Sequence, residues 1–591
     1  MSPTKPWAFR TPIFLALTLS VFTFTSTAAA QQTGKVDFGA SKAPAVQNPL
    51  TVIRLSPQAA PAAFLQDALG KMGAQTNKIG PLANSPLFAD RGRNVPESTV
   101  GLVENGQLRA YWDEKSGDAE IFPMFDSKAA MTVTDTSGVL QQKLDSALKT
   151  AQQIFARQDV IPRDDTQFTV GEPRPVMGAD ASRSSDTGSV DESPSKLYLT
   201  YVSLQRKVDG FAVYGPGSNA SLAIGADGSV QGFVKHWNAG AASGTVKETR
   251  TPEEVGNEIL KQLQPLAVSA NVSVLSIEVA YYDNQADVIQ PVYRITAKVH
   301  FLRHSRAGVK PAGKLPNDEF IVRYLPIGTD RLEAPLGTAL PANPDKPTGP
   351  VTIPPDDPTV GRYVVRNDDP GWVASANGFW SNITGSPNGG LFTNLQYFWA
   401  EPYEFNTSEL SYVNSVQVAL NEVHGNWWYF TTYQDWGDGV DLTAIPASEG
   451  YGPAAGGKLA YWILHSCEVV PSAIDAPCSS DSRSWWTPWF NIFKGLHTVV
   501  GYRTIMYIDD GATSPFGHNL ELGAPVISAW FNATNGASDY SGKPMATAHC
   551  GTALPMGRPS AVTVCGHSND TIFNETALPA AGCLTNYWQP N

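Results

Sequence analysis

The stretch 458–467, KLAYWILHSC, is an apolar run that stops abruptly at His465, Ser466 and Cys467. A second run, 415–425, SVQVALNEVHG, stops in the same way at His424 and Gly425. In both, hydrophobicity is continuous rather than alternating, the pattern of strands covered on both faces, as in a parallel sheet. Side chains at the carboxyl ends of such strands meet in the crevice where ligands bind. The runs therefore predict an α/β domain with a mainly parallel sheet and helices on both faces. They also predict neighbouring strands that bring His424 and Cys467 within reach, so that the imidazole activates the thiol or protonates a leaving amine. Each residue has a plainer role open to it. Cys467 can pair with Cys478, and His424 can simply cap a strand end.

Working outward, residues 1–30 read as a secretory signal: Lys5 and Arg10, then the apolar run PIFLALTLSVFTFTST, then AAA before Gln31. The mature chain is expected to be secreted and soluble, with no transmembrane segment, because no later run approaches the roughly 20 apolar residues of a spanning helix. Residues 31–95 read as an extended arm with one short helix at AAFLQDALGKM. Residues 96–332 read as an α+β region. GQLRAYWDEKSGDAEIFPMF alternates as two strands about the turn EKSGD, and VLQQKLDSALKTAQQIFARQ has helical spacing. KLYLTYVSLQRKVDGFAVYGPGSNASLAIGADGSVQGFVKHW then gives further strands, and TPEEVGNEILKQLQPL a helix with a Thr251/Glu254 capping box. Residues 333–359 hold eight prolines and form a semi-rigid linker. Beyond it Trp, Tyr, Phe and Gly rise, so a further domain spans 360–591.

The formal net charge of −13, without a basic stripe, argues against nucleic acid or anionic membranes as partners. Seven N-x-S/T sequons, at Asn219, Asn271, Asn382, Asn406, Asn532, Asn569 and Asn574, point with the signal to a glycosylated eukaryotic secreted protein, fungal in type. All five cysteines, Cys467, Cys478, Cys550, Cys565 and Cys583, lie in the last quarter of the chain. In an oxidising compartment most should pair, and an odd number leaves one thiol over.

The order of a hydrophobic block ending in His-Gly and a second ending in Ser-Cys, 43 residues apart, resembles the caspase, legumain and gingipain group of cysteine peptidases, including CHAT domains. FKGLHTVVGYRT and FGHNLELGAPVISAWFNAT are similar to the strand and helix that follow there. That resemblance implies His424 as base, Cys467 as nucleophile and the Gly425 N–H as an oxyanion donor. The chain is also similar to secreted microbial proteins with a Trp-x-x-His-Ser-Cys core. The front region, through V-x-G…L-x-I-x-x-D-G-x-V and its T-P-E-E helix, resembles PepSY and thermolysin-propeptide modules, small cystatin-like sheets. This implies a chaperone or inhibitor packed near the crevice.

Several other residues carry candidate chemistry. Asp509 and Asp510 after TIMYI, with Trp427 after His424, are candidates for a substrate pocket. WWTPWFNIF, 485–493, reads as a core helix or lid, or else as a carbohydrate-stacking platform. Asp435, Asp438 and Asp441 read as turn residues. No H-x-x-x-H or C-x-x-C spacing appears, so no metal or other cofactor is implied. Two functions stay open. One is a cysteine peptidase or amide hydrolase acting on a peptide or protein. The other is a catalytically inactive binding protein with a cell-surface or carbohydrate contact.

Overall fold

The computed structural model describes residues 34–46, 49–89, 95–133, 137–268, 270–283, 287–301, 318–329, 359–365, 370–383, 395–432, 439–446, 448–475, 477–478, 481–508, 511–536, 545–547, 549–551, 553–573 and 576–591. The signal sequence and the proline-rich linker thus lie outside the described residues.

The segment read as an arm carries short strands at Val36–Asp37 and Thr51–Ser56, paired with strands further along the front region, and the expected helix at Ala62–Lys71. Strands β1 (Gln107–Asp113) and β2 (Ala119–Ile121) pair antiparallel about the expected turn. Helix α1 (Ser137–Phe155) follows. Then come β3 (Arg174–Arg183), β4 (Lys196–Val208), β5 (Asn219–Gly225) and β6 (Val230–His236). Helix α2 (Pro252–Leu263) starts where the sequence requires. The Thr251 side chain accepts the Glu254 N–H, Glu254 returns a bond to the Thr251 N–H, and Val255, Ile259 and Leu263 are buried. Three long strands, β7 (Ala270–Asp283), β8 (Val288–Phe301) and β9 (Asp318–Pro326), complete the region as an antiparallel meander.

The rear region contains β10 (Val360–Val364), helix α3 (Pro370–Ile383), β11 (Leu395–Trp399), β12 (Val418–Glu422), β13 (Tyr461–His465) and β14 (Thr498–Tyr502). Helices α4 (Thr513–Glu521) and α5 (Val526–Gly536) and strands β15 (Pro559–Val564) and β16 (Cys583–Trp588) follow. Strands β11, β10, β12, β13 and β14 lie side by side and parallel, in that order. Every residue of β12, β13 and β14 is buried, as their continuous apolar runs demand.

The expectation of a mainly parallel, caspase-like α/β fold is overturned. Beyond β14 the pairing turns antiparallel and continues through β15, β16, β3, β4, β5, β6, β2 and β1. The sheet is large and mixed, antiparallel pairs prevail, and helices are few. Continuous hydrophobicity misled because antiparallel β4 is also buried along most of its length. Double-sided burial, not strand direction, is what such a run reports. The flanking layers differ too. On one face Ser375 of α3 meets Glu422 and also Thr513 of α4, and Trp530 of α5 meets His465. On the other face Trp462 packs against Tyr451, Phe405 and Phe430, which come from irregular segments and a short hairpin.

The two regions are joined along a strand seam. Six register pairs, from Cys583↔Ser182 to Trp588↔Met177, put β16 of the rear against β3 of the front. Beside the seam, Glu120 of β2 is only 1% exposed. Its carboxylate accepts both Asn519 and Asn532 Nδ2 of the rear helices at 3.1 Å, and the Tyr111 hydroxyl at 3.3 Å. His236 lies 3.2 Å from Glu120 through Nε2 and 3.2 Å from Asp118 through Nδ1. Burial alone lowers the His236 pKa, but the hydrogen bonds and charges of Asp118 and Glu120 outweigh it and raise it to about 10. The ring is thus an imidazolium clamped between two carboxylates.

Two outcomes follow for the seam. Proteolytic nicking within 333–359 should leave both fragments co-eluting in native size-exclusion chromatography and separating only in denaturant. Glu120→Ala should lower stability by roughly 3–5 kcal/mol, read from the urea midpoint, because it strands a buried cation. The raised His236 pKa means its contribution is full below pH about 6.5 and is lost as pH rises through about 10. A pH series of wild type against His236→Gln should show that alkaline loss only in wild type.

Candidate active site

Cys478 is bridged to Cys550 and Cys565 to Cys583, which leaves Cys467 outside both disulfides as the remaining thiol. Two bridges fit an oxidising compartment. Among the described residues no helix is long and apolar enough to cross a membrane.

The register of β12 and β13 sets the surroundings of that thiol. Glu422 stands opposite His465. Their side chains meet at 2.7 Å, Glu422 Oε2 to His465 Nδ1, both fully buried. The other Glu422 oxygen accepts the Ser375 hydroxyl at 2.8 Å. His424 and Cys467 each lie two residues past these strand ends, where the ladder has already stopped. One residue beyond His424 the chains still touch. A Cβ built on Gly425 falls 2.1 Å from Ser466 Oγ and 2.3 Å from the Cys467 carbonyl oxygen. Close contacts between the two segments thus occur both before and after His424, at Glu422 with His465 and at Gly425 with Ser466 and Cys467.

Each residue has further neighbours. The His424 ring meets Trp372 of α3 edge-on at 5.0 Å, and its carbonyl accepts the Thr431 N–H at 2.9 Å. His424 is 4% exposed. Cys467 Sγ accepts the Met506 N–H at 3.4 Å and lies 3.7 Å from the Met506 carbonyl oxygen. Directly after it, Glu468 adopts φ +57°, a conformation rare for a residue with a side chain. Its N–H donates to Thr504 at 3.3 Å. The chain therefore turns sharply at the thiol rather than running on past it. The wall formed by Met506 reaches the front region through the next residue, since Tyr507 bridges Phe320 of β9 and lies 5.9 Å under the Arg294 guanidinium.

Other expected residues are distributed differently. Trp427 is buried against Trp428, which carries the Arg483 guanidinium at 4.7 Å, so Trp427 is core rather than pocket wall. Asp509 and Asp510 lie outside the described residues, as do Asp435, Asp438 and Asn574. Asp441 accepts the Thr443 N–H and hydroxyl and caps a short turn. The aromatic platform is corrected as well. Trp485, Trp489, Phe490 and Phe493 are buried and only Trp489–Ile492 is helical, so these rings have no open face for a sugar. Among the sequons Asn406 is exposed, and Asn271, Asn382 and Asn569 are half-buried. Asn219 and Asn532 are buried with their amides donating to backbone or to Glu120, which leaves no room for a glycan. A cleft of about 250 Å³ opens on the Trp462 side, lined in part by Phe405, Glu409, Asp441, Glu449 and Tyr451.

The Glu422–His465 pair was missed as part of the site. Its signal lay in the sequence, because E-V-H and H-S-C place a charged or titratable residue two positions before His424 and before Cys467.

Comparison with known proteins adds a family without an activity. Residues 398–563 match a family described as a domain of unknown function, DUF6345. That span contains β12, β13, β14 and both His424 and Cys467. No curated protein matches the chain. A crystal structure of an uncharacterized protein from Eubacterium rectale is similar at 12% identity and a TM-score of 0.24, over 50% of this chain and 88% of that one.

Gly425→Ala should disturb the site directly, since its Cβ meets backbone at 2.3 Å. A cost of roughly 1–3 kcal/mol is expected in chemical denaturation. A more than tenfold change in the alkylation rate of Cys467 should accompany it.

Proposed function

We propose that the chain is a secreted thiol hydrolase of the peptidase or amide-hydrolase class, with Cys467 as nucleophile and His424 as its base. The observation that carries this reading is the parallel pairing of β12 and β13 up to Glu422 and His465, two residues before His424 and Cys467, with Cys467 standing outside both disulfides. In such a reaction the thiolate attacks the amide carbonyl carbon and the C–N bond breaks. His424 as imidazolium protonates the leaving amine, and water then hydrolyses the thioester and restores the thiol. Glu422 and His465 are positioning residues, because their buried contact fixes which residues of the two strands stand opposite each other. The turn at Glu468 supports the reading, since strained backbone clusters at functional sites. The front region, through Phe320 and Tyr507, governs access to the Met506 side of the thiol.

The burial of His424 against Trp372 favours a second reading, a catalytically inactive extracellular binding protein in which the thiol is packed and inert. The two readings separate cleanly in one experiment. Brief iodoacetamide treatment near neutral pH, followed by mass mapping of the non-reduced chain, should label Cys467 alone. His424→Ala should slow that labelling at least tenfold without unfolding the chain, because an imidazolium neighbour lowers a thiol pKa. Labelling absent or far slower than that of a free thiol in solution, and unchanged in His424→Ala, would remove the dyad and leave the binding protein.

A further inference from the structure

At the end of the parallel strands opposite Cys467, a second cluster of titratable groups gathers. His497 precedes β14, and His567 and Asp570 lie on the loop between β15 and β16. One ligand atom from each falls within 4.8 Å of the others. His497 Nδ1 is 2.6 Å and His567 Nδ1 2.8 Å from the same oxygen, Asp570 Oδ2. His497 Nε2 lies 2.9 Å from the Thr576 carbonyl oxygen. A carbonyl can only accept, so Nε2 carries the proton, and a neutral His497 then points the lone pair of Nδ1 at a carboxylate. Two acceptors facing each other at that distance need a cation between them. Either a second proton makes His497 an imidazolium, or a metal ion is bound.

We propose that His497, His567 and Asp570 form a divalent transition-metal site, suited to zinc, at the amino ends of the parallel strands. Two imidazole nitrogens and one carboxylate oxygen are an established zinc donor set, with a fourth position left for water. The Thr576 carbonyl on the far nitrogen of His497 is the outer contact that fixes the ring of a metal-ligating histidine. His567 is about 30% exposed and Asp570 about 18%, so an ion has a route in from solvent. The N···O separations are shorter than the about 3.3 Å edge set by a tetrahedral zinc with bonds of 2.0–2.1 Å. Metal entry therefore widens both contacts, by about 0.7 Å at His497 and about 0.5 Å at His567, with the more exposed Asp570 and His567 moving away from the buried His497 ring. The bound ion would brace the loop between β15 and β16. The loop also touches the front region, where the Gln107 amide donates to the Asn569 carbonyl at 2.7 Å and Asn569 Oδ1 accepts the Phe125 N–H at 2.9 Å.

The test uses the full chain in a Cys467→Ser background, so that the thiol contributes no zinc. After chelator treatment and equilibrium dialysis against zinc, the chain should retain one equivalent by elemental analysis. His567→Ala and the milder His567→Gln and Asp570→Asn should each weaken retention at least tenfold. Cobalt(II) loading should give the visible bands of a four-coordinate nitrogen and oxygen site, with no sulfur charge-transfer band. Zinc should raise the thermal midpoint of the parent chain and leave the variants unmoved. Failure of the Cys467→Ser chain to retain zinc overturns the proposal whatever the variants do, and assigns the cluster to a shared proton. Retention unchanged in both His567→Gln and Asp570→Asn overturns it equally, because the metal then sits elsewhere.

Discussion

The antiparallel ladder between Cys583–Trp588 and Arg174–Arg183 makes two regions into one sheet. Without it, the five parallel strands of the rear would end at β15 and β16, and the front would present an open edge. Backbone groups in a ladder have no alternative but water, so the seam fixes the relation of the regions more firmly than side-chain contact would. The Glu120 network adds direction to that attachment. Its carboxylate is the meeting point of amides from two rear helices and an imidazolium from the front. Leaving any of these groups in an apolar interior unpaired is costly, so the docking geometry is specific as well as tight.

The same economy of contact shapes the thiol site. His424 and Cys467 each follow a buried strand by two residues, and those strands are parallel neighbours. What the register requires is that β12 and β13 cannot slip, and the buried Glu422–His465 contact opposes any slip. The Met506 segment closes one side and is tied to β9, so motion of the front meander reaches the thiol through a backbone contact.

Much of this was legible in the sequence, for identifiable reasons. The capping box at Thr251, the helical spacing of 137–155 and the turn after Asp113 are local signals, and the chain obeys them. The exclusion of Cys467 from the disulfides was also a sequence expectation, resting on odd parity and on the role assigned to the thiol. The two apolar runs do form neighbouring parallel strands, as expected, but strand direction and partner elsewhere were not legible. A run such as KLYLTYVSLQRKV is buried on both faces in an antiparallel setting, and no periodicity distinguishes that from a parallel one. The pairing of Cys583 with Ser182 joins residues that share no local pattern. The burial of Asn219 and Asn532 was equally hidden, because a sequon reports chemistry and not depth. His567 and Asp570 were passed over since their partner, His497, is distant in the chain.

The seam also bears on how the chain comes to be folded during translation. Ser182 leaves the ribosome 401 residues before Cys583. At synthesis rates of about 5–20 residues per second, the front edge from Met177 to Ser182 waits roughly 20–80 s for its strand. An unpaired edge of that kind is a template for the wrong partner, including another nascent copy. A lumen rich in holdases would shield the waiting edge, whereas expression in a compartment lacking them would favour intermolecular strand exchange. The seam thus exposes the chain to mispairing in the interval before the last strand arrives, a hazard that the stability of the finished sheet does nothing to lessen.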